Sequence, residues 1–477
     1  MREIKKGWIF LLLCILGGCI LASCAPAGGE DLFPEPEEGV LTYAALNPVT
    51  GIQKRYINIF NREHADIQIE VLDYTDEGGV DRLLTELALG WVPDIMELHC
   101  LGSIGDTRPR YYTGEIVGGK KLSEGEYWMP YRQLARKGYL EDLWPYIEND
   151  PKLGRDGVME GLLEAAEVDG GLYMLFREVY VNTLVGAESV VGDRDGWTLE
   201  ELMEVFSTMP EDATILRYNA TRWEMYSQLF STTLDRYVDW GTGQCSFDND
   251  EFRDMLEFLS VFPAEFKTAL TSSEIEDEIG WRRLEGRQML ETVCVGHLLD
   301  VPRMKATFGG GRITFVGYPT ADGSSGSFFQ IWGTPLAMSS ACRNKEAAWE
   351  FIGYLIRDAY STDKMEEQYW DNTILIPINR ESYENGKIAD LKRRKEWITP
   401  LNTFPSGPDY IADPPTEEDL QRYEKLINST TQIYWPDDAL SEIVWEAIGP
   451  YFAGDKTLDE TIQMVQNRVK LYVNEQK

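Results

Sequence analysis

Residues 40–98 decide the fold, and they read VLTYAALNPVTGIQKRYINIFNREHADIQIEVLDYTDEGGVDRLLTELALGWVPDIMEL. A short apolar run at Val40–Leu46 predicts a buried strand, and the alternation of apolar residues over Ile67–Val71 predicts another. A third strand is predicted at Pro93–Leu98. Apolar residues at helical spacing occupy the two segments between these strands, residues 52–60 and 80–87.

The alternation of strands and helices in this stretch predicts an α/β fold with a parallel sheet. In open parallel sheets, ligands bind outside the carboxyl ends of the strands. The polar residues that directly follow the predicted strands are therefore candidates for ligand binding. They are Asn47, Asp73, Tyr74, Asp76, Glu97 and His99.

The N-terminus has the pattern of an export signal. Basic residues are followed by an apolar run from Trp8 to Leu16 and then by Leu21-Ala22-Ser23-Cys24. The segment up to Ser23 is shorter and richer in glycine than a membrane-spanning helix, which needs about 20 apolar residues. Residues 1–23 are therefore expected to be a signal peptide.

The tetrapeptide that ends at Cys24 resembles a bacterial lipobox. This resemblance implies that a diacylglycerol is attached to Cys24, which would anchor the protein to the lipid bilayer at the extracytoplasmic face of the cell membrane. Residues 24–39 then form the lipidated cysteine and a flexible tether rich in Pro, Gly and Glu. The alternative to a lipoprotein signal is an ordinary secretory signal in which Cys24 has no role. Residues 16–19, which end at Cys19, are a poorer candidate for the cleavage site.

The amino-acid composition and net charge limit the classes of molecule that the protein can bind. The chain has 43% apolar residues with 14 Trp and 24 Tyr, which favours a large globular protein. Its formal net charge is −35, and such a chain repels the phosphates of nucleic acids and anionic lipid headgroups. Nucleic acid is therefore excluded as a partner.

Cysteine and histidine usage gives no sign of a metal or cofactor. Four cysteines follow the signal, and they are widely spaced and form no CxxC motif: Cys100, Cys245, Cys294 and Cys342. The chain has three His, so a zinc site is not expected. Disulfide pairing and calcium binding in an acidic loop stay open.

Ten segments, in order along nearly the whole chain, resemble carbohydrate-type extracellular solute-binding proteins of ABC importers, the maltose-binding-protein-like family. They are residues 59–64 (IFNREH), 69–74 (IEVLDY), 93–95 (PDI), 137–143 (KGYLEDL), 171–173 (GLY), 182–186 (NTLVG), 196–202 (GWTLEEL), 285–290 (EGRQML), 343–351 (RNKEAAWEF) and 451–460 (YFAGDKTLDE).

This resemblance implies a two-lobed periplasmic-binding-protein-like fold of type II, with discontinuous lobes joined by a hinge. Lobe one is placed at residues 40–176 plus 311–356, and lobe two at 179–310 plus 357–477. A loop at 102–130 is longer than the family pattern. It carries aromatic residues that either pack on the surface or cover the cleft, namely Tyr111, Tyr112, Tyr127 and Trp128.

The resemblance also implies further ligand-binding residues. Glu178 aligns with a ligand-contacting glutamate of the family, or else forms a hinge salt bridge with Arg177. Trp332 lies in a segment that often presents Gly or Trp to the cleft, and it is the best candidate for an aromatic platform. The usual aromatic residue of lobe two is missing near Gly296-His297, and His297 is the ligand-binding candidate at that position. Other aromatic candidates in lobe two are Trp223, Trp281 and Trp435.

Enzyme signatures are absent from the sequence, which has no GxSxG elbow, Walker loop or HExxH motif. Asp73 and Asp76 could be read as a glycosidase pair, but the sequence does not set their separation. The function expected is a monomeric, non-enzymatic receptor that closes on a small solute, most simply a mono- or oligosaccharide, and delivers it to an ABC permease. The alternatives are an exported glycoside hydrolase, a receptor for a membrane sensor kinase, and a receptor for peptides or amino sugars.

Overall fold

The computed structural model describes residues 39–47, 51–76, 78–100, 127–216, 220–265, 281–357, 375–392, 412–435 and 437–475. The predicted signal peptide, the Cys24 anchor, nearly all of the tether and most of the 102–130 loop, with Tyr111 and Tyr112, lie outside these ranges. Within them, no helix combines the length and apolar character needed to cross a membrane.

The strands are β1 (Val40–Ala45), β2 (Gln68–Asp73), β3 (Ile95–Glu97), β4 (His99–Cys100), β5 (Tyr127–Trp128), β6 (Glu178–Ala187), β7 (Val238–Asp239), β8 (Gln244–Cys245), β9 (Leu290–Val295), β10 (Ile313–Phe315), β11 (Phe328–Trp332), β12 (Leu336–Met338) and β13 (Ile376–Pro377).

The α-helices are α1 (Gly51–Glu63), α2 (Gly79–Ala88), α3 (Tyr131–Arg136), α4 (Trp144–Asn149), α5 (Glu160–Glu164), α6 (Glu188–Val191), α7 (Leu199–Ser207), α8 (Arg222–Leu229), α9 (Asp250–Ser260), α10 (Asp300–Thr307), α11 (Lys345–Arg357), α12 (Arg380–Leu391), α13 (Glu417–Ser429), α14 (Asp438–Ala453) and α15 (Leu458–Glu475). Short 3-10 helices lie at Arg155–Gly157 and Ser231–Tyr237.

The first sheet confirms the parallel arrangement predicted for residues 40–98. Its strand order is β12-β3-β1-β2, with β1 parallel to both β2 and β3. Strand β12 is antiparallel to β3. Helices α1 and α2 bury Phe60 and Leu83 completely, which is the face that the helical spacing predicted. The sheet and its helices belong to one hydrophobic core, which we call the first core and which extends to residues of β6, β9 and β11.

The second sheet is built around the ten-residue strand β6. Strands β9 and β13 pair antiparallel along one edge of β6, and β11 and β10 pair antiparallel along the other. Successive side chains of a strand point to opposite faces. The odd-numbered residues Val179, Val181 and Val185 accordingly pack into the first core.

A second core lies on the other side of this sheet. It gathers buried residues of α7, α8, α9, α14 and α15, with Trp197 and Tyr226 fully buried. Helices α7 and α8 begin with capping boxes, in which the N-cap threonine and a glutamate three residues later exchange hydrogen bonds with each other's backbone N–H groups. These caps are Thr198 with Glu201, and Thr221 with Glu224.

Within the described ranges, three neighbouring segments connect the region of the first sheet with the second sheet. Leu175, just before β6, pairs with Leu336 at the start of β12. Strand β11 leads to β12 through Gly333, whose φ of 87° favours glycine. After β13, Asn379 pairs with Val158 beside the first sheet. Chain crossings of this kind are the expected hinge of a two-lobed protein.

Sheet membership is the best guide to the lobe boundaries, which stay a prediction. Strands β10 and β11 hydrogen-bond to β6 and so belong to the second sheet, although the sequence-based boundary assigned residues 311–332 to lobe one. Strand β12 is the first later strand to join the first sheet. We therefore propose that the chain returns to lobe one at residues 333–335.

Candidate ligand-binding site

One face of the second sheet, at the crossing between the sheets, carries a row of polar and aromatic side chains. Glu178 pairs with Trp332, and Tyr180 with Gln330, across β6 and β11. Asn182 pairs with Cys294 across β6 and β9. Residues paired in register point to the same face of a sheet. We call this set the polar strip: Glu178, Tyr180, Asn182, Cys294, Gln330 and Trp332.

Trp332 gives the polar strip an exposed aromatic surface. Trp332 is 53% exposed to solvent, although it lies at the end of a paired strand. The ring of Tyr180 lies edge-on to it, with the ring centroids 6.2 Å apart and an interplanar angle of 61°. This contact holds one side of the indole and leaves much of it open to solvent. An exposed indole of this kind can stack on an apolar C–H face of a ligand.

Glu178 supplies a carboxylate beside this aromatic pair. The residue is 5% exposed, and burial raises the pKa of its carboxyl, whereas Arg177 and a backbone hydrogen bond from Leu375 oppose that rise. The guanidinium of Arg177 lies 3.5 Å from Glu178 Oε1. The hinge salt bridge considered from the sequence is thus present. A carboxylate has about four acceptor positions, so Glu178 can also accept hydrogen bonds from a ligand.

A chain of hydrogen bonds orients the two amides of the polar strip. Cys294 Sγ donates to Asn182 Oδ1 at 3.2 Å, and Asn182 Nδ2 donates to Gln330 Oε1 at 2.5 Å. Because Gln330 Oε1 is the acceptor, its NH₂ group is the part that can donate to a ligand. The strip therefore combines an aromatic surface, a carboxylate acceptor and an amide donor.

Glu97 organises the predicted site residues of the first sheet. It is fully buried and accepts hydrogen bonds from Tyr43 Oη (2.6 Å), Leu46 N (2.8 Å), Asn47 N (2.9 Å) and Asn47 Nδ2 (2.9 Å). Burial raises the pKa of Glu97, and these hydrogen bonds act in the opposite direction. Four donors on one buried carboxylate fix the end of β1 against β3.

Asn47 extends this network to the crossing segment. Its Nδ2 also donates to the carbonyl oxygen of His99 at 2.6 Å and to Thr334 Oγ1 at 3.3 Å. His99 is 4% exposed, and burial lowers the pKa of its ring to about 4, so the ring is neutral at physiological pH. The structure thus brings Asn47, Glu97 and His99 together as predicted, in a buried network next to the β11–β12 connection.

The three candidates after β2 are held by local contacts. Asp73 accepts hydrogen bonds from the backbone and hydroxyl of Thr75, which lower the pKa of its carboxyl. Asp76 forms a 3.0 Å salt bridge with Arg82, which lowers its pKa as well. Tyr74 is 5% exposed and donates its hydroxyl to a glutamate of α2. A glycosidase needs one carboxyl with a raised pKa as its general acid, and this pair offers none.

The remaining candidates lie in other surroundings. Trp223 packs against Trp445, with ring centroids 4.6 Å apart, at the edge of the second core. Trp281 is 50% exposed and lies in a helical segment of which residues 281–284 are described. The backbone N–H of His297 donates to Asp300 in the first turn of α10. Trp435 is 5% exposed and contacts the first lobe, as described below.

Four members of the polar strip were not identified from the sequence. They are Tyr180, Asn182, Cys294 and Gln330. The sequence EVYVN at residues 178–182 alternates polar and apolar residues, and this period-two pattern could have indicated a strand with one polar face. No group of His, Cys, Asp and Glu suited to a metal ion occurs within the part of the chain that the structure describes.

In sequence, the chain matches no protein-family model and no curated protein. Solved structures with the same fold are nevertheless found. One is a periplasmic oligogalacturonide-binding protein from Yersinia enterocolitica, with a TM-score of 0.55, 13% identity, and 92% of this chain and 100% of that chain covered. Another is the sugar-binding protein MalE from Xanthomonas citri, with a TM-score of 0.52, 14% identity, and coverage of 91% and 97%.

A third solved structure is a family 1 extracellular solute-binding protein from Alicyclobacillus acidocaldarius. It has a TM-score of 0.51 and 13% identity, with 91% of this chain and 98% of that chain covered. These similarities extend over nearly the whole chain and agree with the two sheets and the crossing segments between them. The chain therefore has the two-lobed α/β fold of extracellular solute-binding proteins.

Proposed function

We propose that the protein is an extracytoplasmic receptor that captures a small solute, most simply a mono- or oligosaccharide, and delivers it to an ABC importer. The observation that carries this proposal is the exposed Trp332 beside Tyr180, Glu178 and Gln330, at the place where the chain crosses between the sheets. The similar structures from Yersinia enterocolitica and Xanthomonas citri, which are named as oligogalacturonide-binding and sugar-binding proteins, support the same class of ligand.

The chemistry of the polar strip suits a sugar. A pyranose ring offers an apolar C–H face, which Trp332 can stack on, and a rim of hydroxyl groups. Glu178 can accept hydrogen bonds from those hydroxyls, and the Gln330 amide can donate to their oxygens. The strip offers no second carboxyl near Glu178 in the pairing of β6 with its neighbours, so binding is favoured over hydrolysis.

Hinge closure would complete the site. A ligand on the polar strip lies against β6 and β11, the strands that lead into the first sheet. If it also contacts the first lobe, it binds the closed form more tightly than the open form, and this difference in affinity shifts the population toward closure. In this proposal the ABC permease recognises the closed form, and the Cys24 lipid holds the monomeric receptor at the extracytoplasmic face of the membrane.

The test starts from the chain expressed without its signal peptide and with Cys24 changed to Ser. A thermal-shift screen against saccharides, amino acids and short peptides identifies the ligand, because a ligand at a hundred times its dissociation constant adds about 2.7 kcal/mol of stability. Titration calorimetry then compares the unchanged chain with Trp332→Ala. We expect Trp332→Ala to weaken binding by about 1–3 kcal/mol, as for loss of one aromatic contact surface.

Trp281→Ala is the matched control. Trp281 is exposed to nearly the same extent as Trp332 but lies outside the polar strip, so its loss should leave the affinity unchanged. Equal affinity of Trp332→Ala and the unchanged chain would remove Trp332 from the site. A thermal shift with peptides and none with saccharides would keep a binding function and overturn the proposed class of ligand.

A further inference from the structure

The two lobes also touch beside the crossing segments, through Trp435. The segment before this residue pairs with β11 of the second sheet, since Phe329 bridges to Ile433. The Trp435 side chain, however, packs in the first core. Its Nε1 donates to the carbonyl oxygen of Met129 at 3.1 Å, and its ring lies 5.3 Å from that of Tyr131. Met129 and Tyr131 belong to the first lobe, because the Met129 N–H donates to the carbonyl oxygen of Leu98 and the Tyr131 hydroxyl donates to that of Ala166.

An ion pair joins the lobes next to this tryptophan. Arg132 on α3 lies 2.9 Å from Asp235, which belongs to the 3-10 helix Ser231–Tyr237. That 3-10 helix is anchored in the second core by Leu234 and Tyr237. The side chains of Arg132 and Asp235 are 26% and 30% exposed, so solvent screens this pair less than it screens the fully exposed pairs of the surface.

A second arginine of α3 adds to the same attraction. Arg136 lies one helical turn after Arg132 and pairs with Asp169 of its own lobe at 2.9 Å. It also acts on Asp239 of the second lobe: the pKa of Asp239 is lowered first by hydrogen bonds from Thr242, and Arg136 contributes in the same direction. Helix α3 thus presents two positive charges to an acidic edge of the second lobe.

From these contacts we infer that Met129, Tyr131, Arg132, Asp235 and Trp435 form an interlobe brace that restrains the angle between the lobes in the ligand-free receptor. The hinges of two-lobed proteins are a few loop or element-terminal residues that absorb the change in backbone angles. The brace adds a packed indole, a hydrogen bond and an ion pair at a second place. Loss of the ion pair is expected to change the ratio of lobe arrangements by up to roughly five-fold.

The inference rests on the two-lobe mechanism of the proposed function but needs no ligand, so it can be tested before the solute is known. Spin labels are placed at two exposed positions, Glu63 in the first lobe and Glu257 in the second. The chain starts at residue 24, and its native cysteines are replaced by serine or alanine. Electron–electron double resonance measures the distribution of distances between the labels in the ligand-free protein.

Charge reversal then isolates the ion pair. We expect Arg132→Asp or Asp235→Arg to broaden the distance distribution and to move its mean, because like charges replace the attraction. The double reversal should restore the narrow distribution. Lys345→Glu is the matched control, since the Lys345–Glu141 pair is 2.8 Å long, is similarly exposed and lies within the first lobe. This control should leave the distribution unchanged.

Neutral variants show whether a change in the distance distribution comes from loss of the ion pair or from misfolding. Arg132→Gln and Asp235→Asn remove the attraction without placing like charges together, and near-ultraviolet circular dichroism checks that each variant is folded. The inference is overturned if the folded single variants keep the original distribution, if the double reversal fails to restore it, or if Lys345→Glu broadens it equally. Failure to bind any saccharide would overturn the proposed ligand class and leave this result untouched.

Discussion

Asp437 gives a prediction whose sign and size can be worked out from the structure. Its carboxylate caps helix α14 by accepting from the Leu440 N–H at 2.9 Å, and it accepts from the Tyr472 hydroxyl at 2.9 Å and 3.0 Å. Burial raises the pKa of Asp437 to about 6, and nearby Asp235 acts in the same direction, whereas its hydrogen bonds and Arg132 act against the rise. The ionised carboxylate is therefore less stable in the folded protein than in the unfolded chain.

The direction of the pH dependence follows from this shift. Between pH 4 and pH 6 the folded protein keeps a proton on Asp437 that the unfolded chain has already released. Stability therefore falls as the pH rises through this window, and the loss is complete above about pH 6. The difference between a pKa of about 6 in the folded protein and the ordinary aspartate value corresponds to at most about 3 kcal/mol, and we expect about 1–3 kcal/mol because the residue is partly exposed to solvent.

Asp437→Asn is the perturbation that removes this titration. Asparagine caps helices as well as aspartate does, and its side-chain oxygen can still accept from Leu440 N. We expect Asp437→Asn to be more stable than the unchanged chain by about 1–3 kcal/mol at pH 7 and equally stable at pH 4.

Urea denaturation at a series of pH values measures this difference, and comparing the two chains cancels the contributions of other buried acids. Asp322→Asn is the control with the opposite sign, because hydrogen bonds from Ser324 lower the pKa of the exposed Asp322. Its loss should destabilise the protein at pH 7. An Asp437→Asn protein with the same pH dependence as the unchanged chain would refute the reasoning.

Further predictions concern the buried network and the polar strip. Glu97→Ala should destabilise the first lobe by about 3–5 kcal/mol, because several buried donors lose their acceptor. Glu97→Gln should destabilise it less, because glutamine keeps one acceptor oxygen. Chemical denaturation measures both variants, and a loss of stability under about 1 kcal/mol for Glu97→Ala would contradict the stabilising role of this network. Cys294→Ala should weaken ligand binding by about 1 kcal/mol or less, with little change in stability, because the Asn182 and Gln330 amides lose the hydrogen bond that orients them. Titration calorimetry measures the affinity, and Cys245→Ala is the control because Cys245 lies outside the polar strip.

The first sheet could be predicted from the sequence because its information is local. Each predicted strand of residues 40–98 carries its own apolar pattern, and the strands follow one another through short helices. The carboxyl-end rule then brought Asn47, Glu97 and His99 together correctly. It did not reveal that the Glu97 carboxylate accepts hydrogen bonds from the backbone N–H groups of Leu46 and Asn47 just after β1, since that depends on the register between β1 and β3.

The second sheet depends on contacts between distant parts of the chain. Strand β6 pairs with β9, β10, β11 and β13, which lie more than a hundred residues further along the chain. No periodicity in residues 178–187 specifies which strands will pair with them. The resemblance to a known family suggested Glu178 and Trp332 one at a time, whereas their register in the sheet shows that they face each other.

The burial of each side chain in the structure distinguishes aromatic residues that can contact a ligand from those in a core, which the amino-acid composition could not do. Trp332 lies in the segment FQIWG and Trp435 in the segment YWPDD, and the sequence predicts that both bind ligand. One is 53% exposed on the polar strip, and the other is 5% exposed in the first core. Tertiary packing decides this difference, because a tryptophan satisfies its apolar surface equally well in a core or against a ligand.

If the polar strip binds the ligand as proposed, its position is expected to couple binding to lobe movement. Trp332 is the last residue of β11, and Gly333 and Thr334 follow in the segment where we propose that the chain returns to lobe one. Thr334 accepts a hydrogen bond from Asn47, which Glu97 holds at the end of β1. A ligand that orders Trp332 and Glu178 therefore restrains the two strands on one side of the hinge, while the buried network restrains the other. Affinity and lobe angle are accordingly expected to change together when residues of this crossing are altered.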